Sequence, residues 1–151
     1  MKITKTCNFT LFPPISILKL ISLCILVSIV PENANKDEFE KLCDKVFKID
    51  DKIRSVRVIN NKGKLEAGGM RDGLKALEDS KKDEMLFMEL SLRVQMRHEF
   101  DEEFGPVEFS LSYRGKIIVF SFPMKANRVL LVTTERQANL EKVPFEILKL
   151  L

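Results

Sequence analysis

The chain has 151 residues, of which 45% are hydrophobic and 31% are charged, and this is the length and composition of a single globular domain. Its net charge of +3 comes entirely from the first 30 residues, which contain Lys2, Lys5 and Lys19 but no acidic residue; the rest of the chain holds 22 basic and 22 acidic residues. Without a basic excess there is no general attraction for phosphate backbones, so we expect no nucleic-acid binding.

The N-terminal segment, residues 1–34, contains an apolar run of 16 residues at 15–30, and three interpretations of it stay open. A membrane anchor needs about 20 apolar residues, and this run is shorter and includes Lys19. A cleaved signal peptide needs a favourable cleavage site, which Pro31 makes poor. Alternatively, translation begins later, at Val27, whose codon can serve as a start in prokaryotes.

The next segment predicts a first helix over about 36–50. Asn35 and Glu38 have the spacing of a capping box, which marks a helix start. Apolar residues then recur at helical spacing and predict one buried face: Phe39, Leu42, Cys43, Val46 and Phe47. Cys43 is the only cysteine after residue 34, so we expect a small core residue there, with no disulfide and no thiolate metal site.

A β-hairpin is predicted next. The β-branched stretch IRSVRVI at 53–59 predicts a strand, NNKG at 60–63 a turn, and KLEAGGM at 64–70 the returning strand. The charged stretch at 71–82 is expected to be a loop, since its glycines lack the lysine and hydroxyl spacing of a phosphate-binding loop.

Ser80 and Asp83 predict the start of a long second helix over about 81–104. Its apolar residues form two stripes, one of Met85, Met88, Leu92 and Met96, the other of Phe87, Leu90 and Val94. The spacing leaves open which stripe packs on a sheet and which meets a partner. His98 is the only histidine and is expected at a solvated helix end, not in a metal site.

Three strands and a helix complete the chain. VEFSLSY at 107–113 alternates between apolar and polar residues, which predicts an edge strand, whereas the strands at 116–122 and 128–135 are apolar on both faces and should be central. Residues 137–151 predict a helix that Pro144 interrupts or starts. The predicted fold class is α/β (α+β): a three-layer α/β/α sandwich with a five-stranded antiparallel sheet, in the order α-ββ-α-βββ-α.

This order, with the stretches VRVINNKGKLEAGG, VEFSLSYRGKIIVFSF and RVLLVTTERQANL, resembles the roadblock (dynein light chain) family and its longin and profilin relatives. It also resembles small uncharacterised single-domain proteins of archaea. The resemblance covers about residues 36–151, and we therefore expect a roadblock-like domain over 35–151. The charged stretch at 71–82 and Pro144 depart from the compact family pattern.

The resemblance implies a non-catalytic interaction module. Roadblock domains commonly form dimers through the long helix and the neighbouring edge strand, and they often bind or regulate small GTPases. Carried over to this chain, the resemblance implies a homodimer or a GTPase complex in the cytoplasm, without a cofactor, or a membrane-anchored version if residues 15–30 are retained. The implied dimer interface consists of Met85, Met88, Leu92, Met96, Val107, Phe109 and Leu111.

Two other classes of function compete with this one. A small-molecule sensor of the same sandwich class would need an internal pocket with convergent polar groups. An enzyme would need a nucleophile, a base or a metal set, and residues 35–151 offer one cysteine, one histidine and one tyrosine on three separate elements. We therefore expect no enzyme activity.

Overall fold

A computed structural model describes the backbone of residues 32–151 and the side chains from Lys36 onward. The three interpretations of residues 15–30 lie outside these described residues. The helices are α1 (Glu32–Phe47), α2 (Ser80–Arg97), α3 (Asp101–Phe104) and α4 (Val143–Leu148), and 3-10 turns lie at His98–Phe100 and Lys125–Asn127.

The described strands form one antiparallel sheet in the order β2-β1-β5-β4-β3. They are β1 (Ile53–Ile59), β2 (Leu65–Met70), β3 (Ser110–Tyr113), β4 (Ile117–Met124) and β5 (Arg128–Glu135). The apolar strands β4 and β5 lie inside the sheet and β3 lies at its edge, because only strands with two apolar faces are stabilised by cover on both sides. The predicted fold class and element order are therefore confirmed.

Alternate residues of each strand point to opposite faces of the sheet, and each face carries its own core. On one face, residues such as Phe120 and Val132 pack with Val46 of α1 and Ile147 of α4. On the other face, Val119, Leu131 and neighbouring residues pack with three residues of α2: Phe87, Leu90 and Val94. The sheet thus lies between α2 on one side and α1 with α4 on the other.

One arginine connects the end of α1 to the sheet through hydrogen bonds. Arg71, just after β2, donates from Nε to the Ile53 carbonyl at 2.6 Å and from Nη2 to the carbonyls of Phe47 and Asp50 at 2.9 and 2.8 Å. Its guanidinium also lies 5.1 Å from the centre of the Phe47 ring. The Phe47 carbonyl, at the C-terminus of α1, has no partner within the helix, so Arg71 satisfies it.

The ends of the two long helices differ from the prediction. α1 begins at Glu32, four residues before the predicted start, and it ends at Phe47. The capping-box pattern of Asn35 and Glu38 therefore lies within α1 and does not mark its start. α2 ends at Arg97, and a 3-10 turn separates it from α3, although Gly105 (φ 80°) stops the helical region where the sequence predicts.

The edge strand is shorter than predicted, because Pro123 interrupts its ladder. β3 begins at Ser110, not at 107, and Ser110 lies opposite Ser121. The same register would place Glu108 opposite Pro123, at a position where β4 would have to donate a backbone N–H. Proline has no N–H, so residues 107–109 leave the sheet.

The C-terminal helix is also shorter than predicted, covering only Val143–Leu148. Before it, the Asn139 side chain accepts hydrogen bonds from the backbone N–H groups of Glu141 and Lys142, both at 3.0 Å, and so stabilises a turn. Pro144 lies in the first turn of α4, where a missing N–H costs nothing.

Candidate interaction surface

The long helix α2 begins at a side-chain cap. Asp79 has an extended backbone and its Oδ1 accepts a hydrogen bond from the Lys82 backbone N–H at 2.9 Å. The cap therefore lies one residue before the predicted start at Ser80. It satisfies one of the free donors of the first turn.

Buried polar contacts fix the rotation of α2 on the sheet. Arg57 of β1 is 6% exposed, and its guanidinium contacts the Asp83 carboxylate at 3.1 Å and lies 5.4 Å from the centre of the Phe87 ring. Burial, and a hydrogen bond to Asp83, raise the pKa of the Glu78 carboxyl beside this pair. Gly63 (φ 69°) in the hairpin turn lies so close to the helix that a Cβ there would meet the Met88 backbone N at 2.7 Å.

These contacts turn one apolar stripe of α2 inward and the other outward. Phe87, Leu90 and Val94 are buried against the sheet. Met85, Met88, Leu92 and Met96 are 65%, 56%, 56% and 68% exposed. The sequence contains both stripes, and only the packed helix shows which of them is free.

The exposed stripe continues beyond the predicted residues. Phe100 and Phe104 follow Met96 at intervals of four residues, are 54% and 84% exposed, and stack on each other with ring centres 6.2 Å apart. Sequence reasoning missed these two residues, although the same four-residue spacing would have found them. We call the whole surface the outer stripe: Met85, Met88, Leu92, Met96, Phe100 and Phe104.

Two of the remaining predicted interface residues, Phe109 and Leu111, lie at the edge strand but on the other face of the sheet. Leu111 lies opposite Phe120, on the α1 side, and is 40% exposed. Phe109 is half-buried, with ring centres 5.7 Å from Phe122 and 5.8 Å from Phe145. Val107 is half-buried before the strand begins. Phe109 and Leu111 therefore do not join the outer stripe on one continuous face.

Among residues 32–151, β3 pairs only with β4, and its other edge borders the end of α2. Arg97, the last residue of α2, donates a side-chain hydrogen bond to Ser110 Oγ at the start of β3. The C-terminal part of the outer stripe and the open backbone edge of β3 are thus neighbours. An open strand edge offers unpaired N–H and C=O groups to another chain.

The groups with potential for chemistry are separated. Cys43 is buried on α1, whereas His98 follows α2 and Tyr113 ends β3, both exposed. Within residues 32–151, no group of three or more His, Cys, Asp or Glu side chains is arranged to hold a metal ion. In the same part of the chain, every helix is too short or too polar to cross a membrane.

Burial, with the nearby carboxylates of Glu40 and Asp44, raises the pKa of the Cys43 thiol from 9.0 to about 12. Between these pH values the unfolded chain loses the proton and the folded chain keeps it, so stability should fall as pH rises. Cys43→Ala lacks this thiol, so only the wild type should lose stability from it. We expect the difference in free energy of unfolding between the wild type and Cys43→Ala to decrease by about 1.4 kcal/mol per pH unit above pH 9.5. Urea denaturation of both proteins in reducing buffer from pH 7 to 10.5 measures it.

Comparing the two proteins cancels the titration of all other groups. The difference should stay constant between pH 7 and 8, where the thiol is protonated in both states. A difference that is unchanged up to pH 10.5 would contradict a raised pKa for Cys43.

Comparison with solved structures finds the same fold at low sequence identity. A roadblock/LC7 domain from Streptomyces avermitilis has a TM-score of 0.57 and 15% identity, covering 74% of this chain and 89% of that domain. MglB from Myxococcus xanthus has a TM-score of 0.58 and 15% identity over 75% of this chain and 88% of MglB. MglB with a tetrameric arrangement has a TM-score of 0.62 and 10% identity over 81% of this chain and 86% of that chain. The chain therefore has the roadblock fold.

Comparison with curated proteins gives no match. The profile of one protein family, described as a family of unknown function (DUF6659), matches residues 30–151, which is most of the chain. The chain belongs to this family.

Proposed function

We propose that this chain is a non-catalytic protein-interaction module that forms a homodimer through the outer stripe and serves as a scaffold or as a regulator of a small GTPase. The observation that carries the proposal is the stripe itself. Six large apolar side chains, each at least 54% exposed, follow one another along a helical surface. Within α2, from Met85 to Met96, this surface extends for about 16 Å at the rise of an α-helix, and Phe100 and Phe104 follow after the 3-10 turn begins.

Such a stripe is costly to leave in water. Completing the burial of these side chains in two copies would contribute on the order of 10 kcal/mol. This is similar to the free energy lost when two molecules associate, so a stable dimer also needs favourable contacts around the stripe.

The charges at the two ends of the stripe favour a second copy as the partner. Lys81 and Lys82 are exposed at its start, and Glu102 and Glu103 are exposed at its end. A two-fold axis near Leu92 would place the start of one helix beside the end of the other. Each lysine pair would then lie near the glutamates of the other copy, which favours the antiparallel orientation.

The edge strand and the known structures add support. The free edge of β3 borders the end of α2, so a second copy on the stripe could also approach this edge. MglB, which shares the fold, has been solved in a tetrameric arrangement, so this fold is compatible with self-association. A small GTPase as partner follows from the family resemblance.

The test is the molar mass in solution. We expect sedimentation equilibrium of the wild-type chain at micromolar concentration to give a dimer. Leu92→Glu or Met88→Glu should give a folded monomer, because two-fold symmetry would bury the introduced carboxylate twice. Leu77→Glu is the matched control, since Leu77 is 54% exposed in the loop before α2 and Leu92 is 56% exposed on the stripe.

Circular dichroism and thermal melting would show that the variants remain folded. A monomeric wild type at tens of micromolar, or a dimer that persists in Leu92→Glu, would overturn the proposed homodimer. For the GTPase role, a candidate GTPase from the source cells should change its rate of nucleotide exchange or hydrolysis when the purified chain is added.

The proposed location is the cytoplasm, and membrane anchoring through residues 15–30 is the alternative. N-terminal peptide mapping of the native protein in soluble and membrane fractions distinguishes them. Peptides that begin near Val27 in the soluble fraction support the cytoplasmic location, whereas peptides from residues 1–24 in the membrane fraction support the anchor.

A further inference from the structure

A groove lies on the face of the sheet opposite the outer stripe. It has a volume of about 700 Å³ and runs between α1, the end of β4 and residues 150–151. Its apolar surface includes Phe39 and Leu42 of α1 and Met124 of β4, all half-buried. This volume lies within the range of about 300–1,000 Å³ that is usual for small-molecule sites.

The rim of the groove is basic. Lys41, Lys45 and Lys125 line it and are exposed, and none of them makes an ion pair with another residue of 36–151. Glu38 is the one acidic residue among the lining residues. The three lysine side chains therefore leave positive charge available to an anion at an apolar surface.

Arg128 has a different role in the same groove. Its Nε donates to the Glu66 carboxylate and its guanidinium lies 5.2 Å from the centre of the Phe39 ring. These contacts neutralise Arg128 and hold Phe39 in place. The apolar wall is thus fixed by a contact that does not use the three lysines.

We propose that this groove binds a free single-chain anionic amphiphile, a fatty acid of about 10 to 16 carbons. The acyl chain would lie on Phe39, Leu42 and Met124, and the carboxylate would accept hydrogen bonds from the lysine ammonium groups. A peptide is a poorer fit, because its own N–H and C=O groups need partners. Pro123, at the end of β4 in the groove wall, has no N–H to donate to such a peptide.

The proposal is independent of the dimer and is tested on the full chain with dodecanoate, well below the concentration at which it forms micelles. We expect saturable, one-to-one changes in the NMR methyl signal of Met124, with Met88 and Met96 unchanged. Lys41→Glu with Lys45→Glu should weaken the affinity at least about tenfold, because the carboxylate would face negative charge.

The matched control is Lys48→Glu with Lys116→Glu, which makes the same change in net charge at two exposed positions outside the groove. It should bind dodecanoate as the wild type does. Lys41→Gln with Lys45→Gln removes the charges without reversing them, and it should give an intermediate affinity if the reversed variant does not fold.

Five results would overturn the proposal. The first is the absence of binding at about 1 mM dodecanoate, a concentration at the weak end of ligand affinities. The second is equal binding of the cationic dodecyltrimethylammonium, and the third is an affinity for dodecanoate that the Lys41 and Lys45 variants leave unchanged. The fourth is binding that is lost in Leu92→Glu. This fourth result would mean that the amphiphile adsorbs to the outer stripe. Binding to anionic phospholipid vesicles without binding to dodecanoate would assign the groove to a membrane surface and would also overturn it.

Discussion

Replacing Gly68 with alanine should lower the free energy of unfolding by about 3 kcal/mol or more. Gly68 lies within β2 at φ +81°, where a side chain is strained, and a Cβ there would lie 2.2 Å from the Val56 carbonyl oxygen and 2.8 Å from Cys43 Sγ. Neither atom can move away easily, because Val56 is in the central part of the sheet and Cys43 is in the core. The substitution therefore forces α1 away from the sheet or breaks the pairing of β2.

Gly69 provides the control, since it is the next residue of the same strand and a Cβ there would meet nothing within 4 Å. Gly69→Ala should be neutral or slightly stabilising, because it reduces the freedom of the unfolded chain. Urea denaturation of the three proteins at neutral pH measures both changes. Equal stabilities of the two variants would show that the close approach of α1 to β2 at Gly68 is wrong.

Replacing Arg71 with alanine should lower the free energy of unfolding by about 2 to 4 kcal/mol. The arginine donates to three backbone carbonyls between the end of α1 and the start of β1, at 2.6 to 2.9 Å. Alanine removes these three hydrogen bonds, leaving the Asp50 carbonyl only its bond from the Ile53 backbone N–H at 3.3 Å, and removes the contact with the Phe47 ring. Since α1 carries Cys43 and Val46 into the core, loosening its end should also reduce the cooperativity of unfolding.

Two further variants identify the cause. Arg71→Lys keeps the charge but cannot donate to three carbonyls in the same fork geometry, so it should recover only part of the loss. Arg93→Ala removes an exposed ion pair with Glu89 on α2 and should cost no more than about 0.5 kcal/mol. If Arg71→Ala and Arg93→Ala have the same stability in thermal and urea denaturation, the proposed link between α1 and the sheet is contradicted.

The sheet and the order of its elements could be predicted because the relevant signals are local. β1 and β5 have the predicted bounds, since β-branched and apolar residues continue to their ends and turn residues follow. The shortening of β3 could not be predicted from its own residues. It depends on Pro123 in the next strand, which is distant in sequence and adjacent only in the folded sheet.

The candidate surface, too, could be predicted from the sequence only in part. Helical periodicity by itself determined that the long helix has two apolar stripes, and it included four residues of the outer stripe. It could not determine which stripe is buried, because both have similar spacing and hydrophobicity. The contacts of Arg57 with Asp83 and Phe87 set the rotation of the helix on the sheet.

The sequence by itself thus determined the kinds of elements, their order, the antiparallel pairing and the apolar residues available for contact. Each of these depends on backbone preferences and on periodicities of two or 3.6 residues. Only the tertiary structure decided which apolar residues remain exposed, where β3 ends and that three lysines surround a groove between α1 and β4. These features depend on side chains from distant parts of the chain, whose proximity arises when the helices pack on the two faces of the sheet.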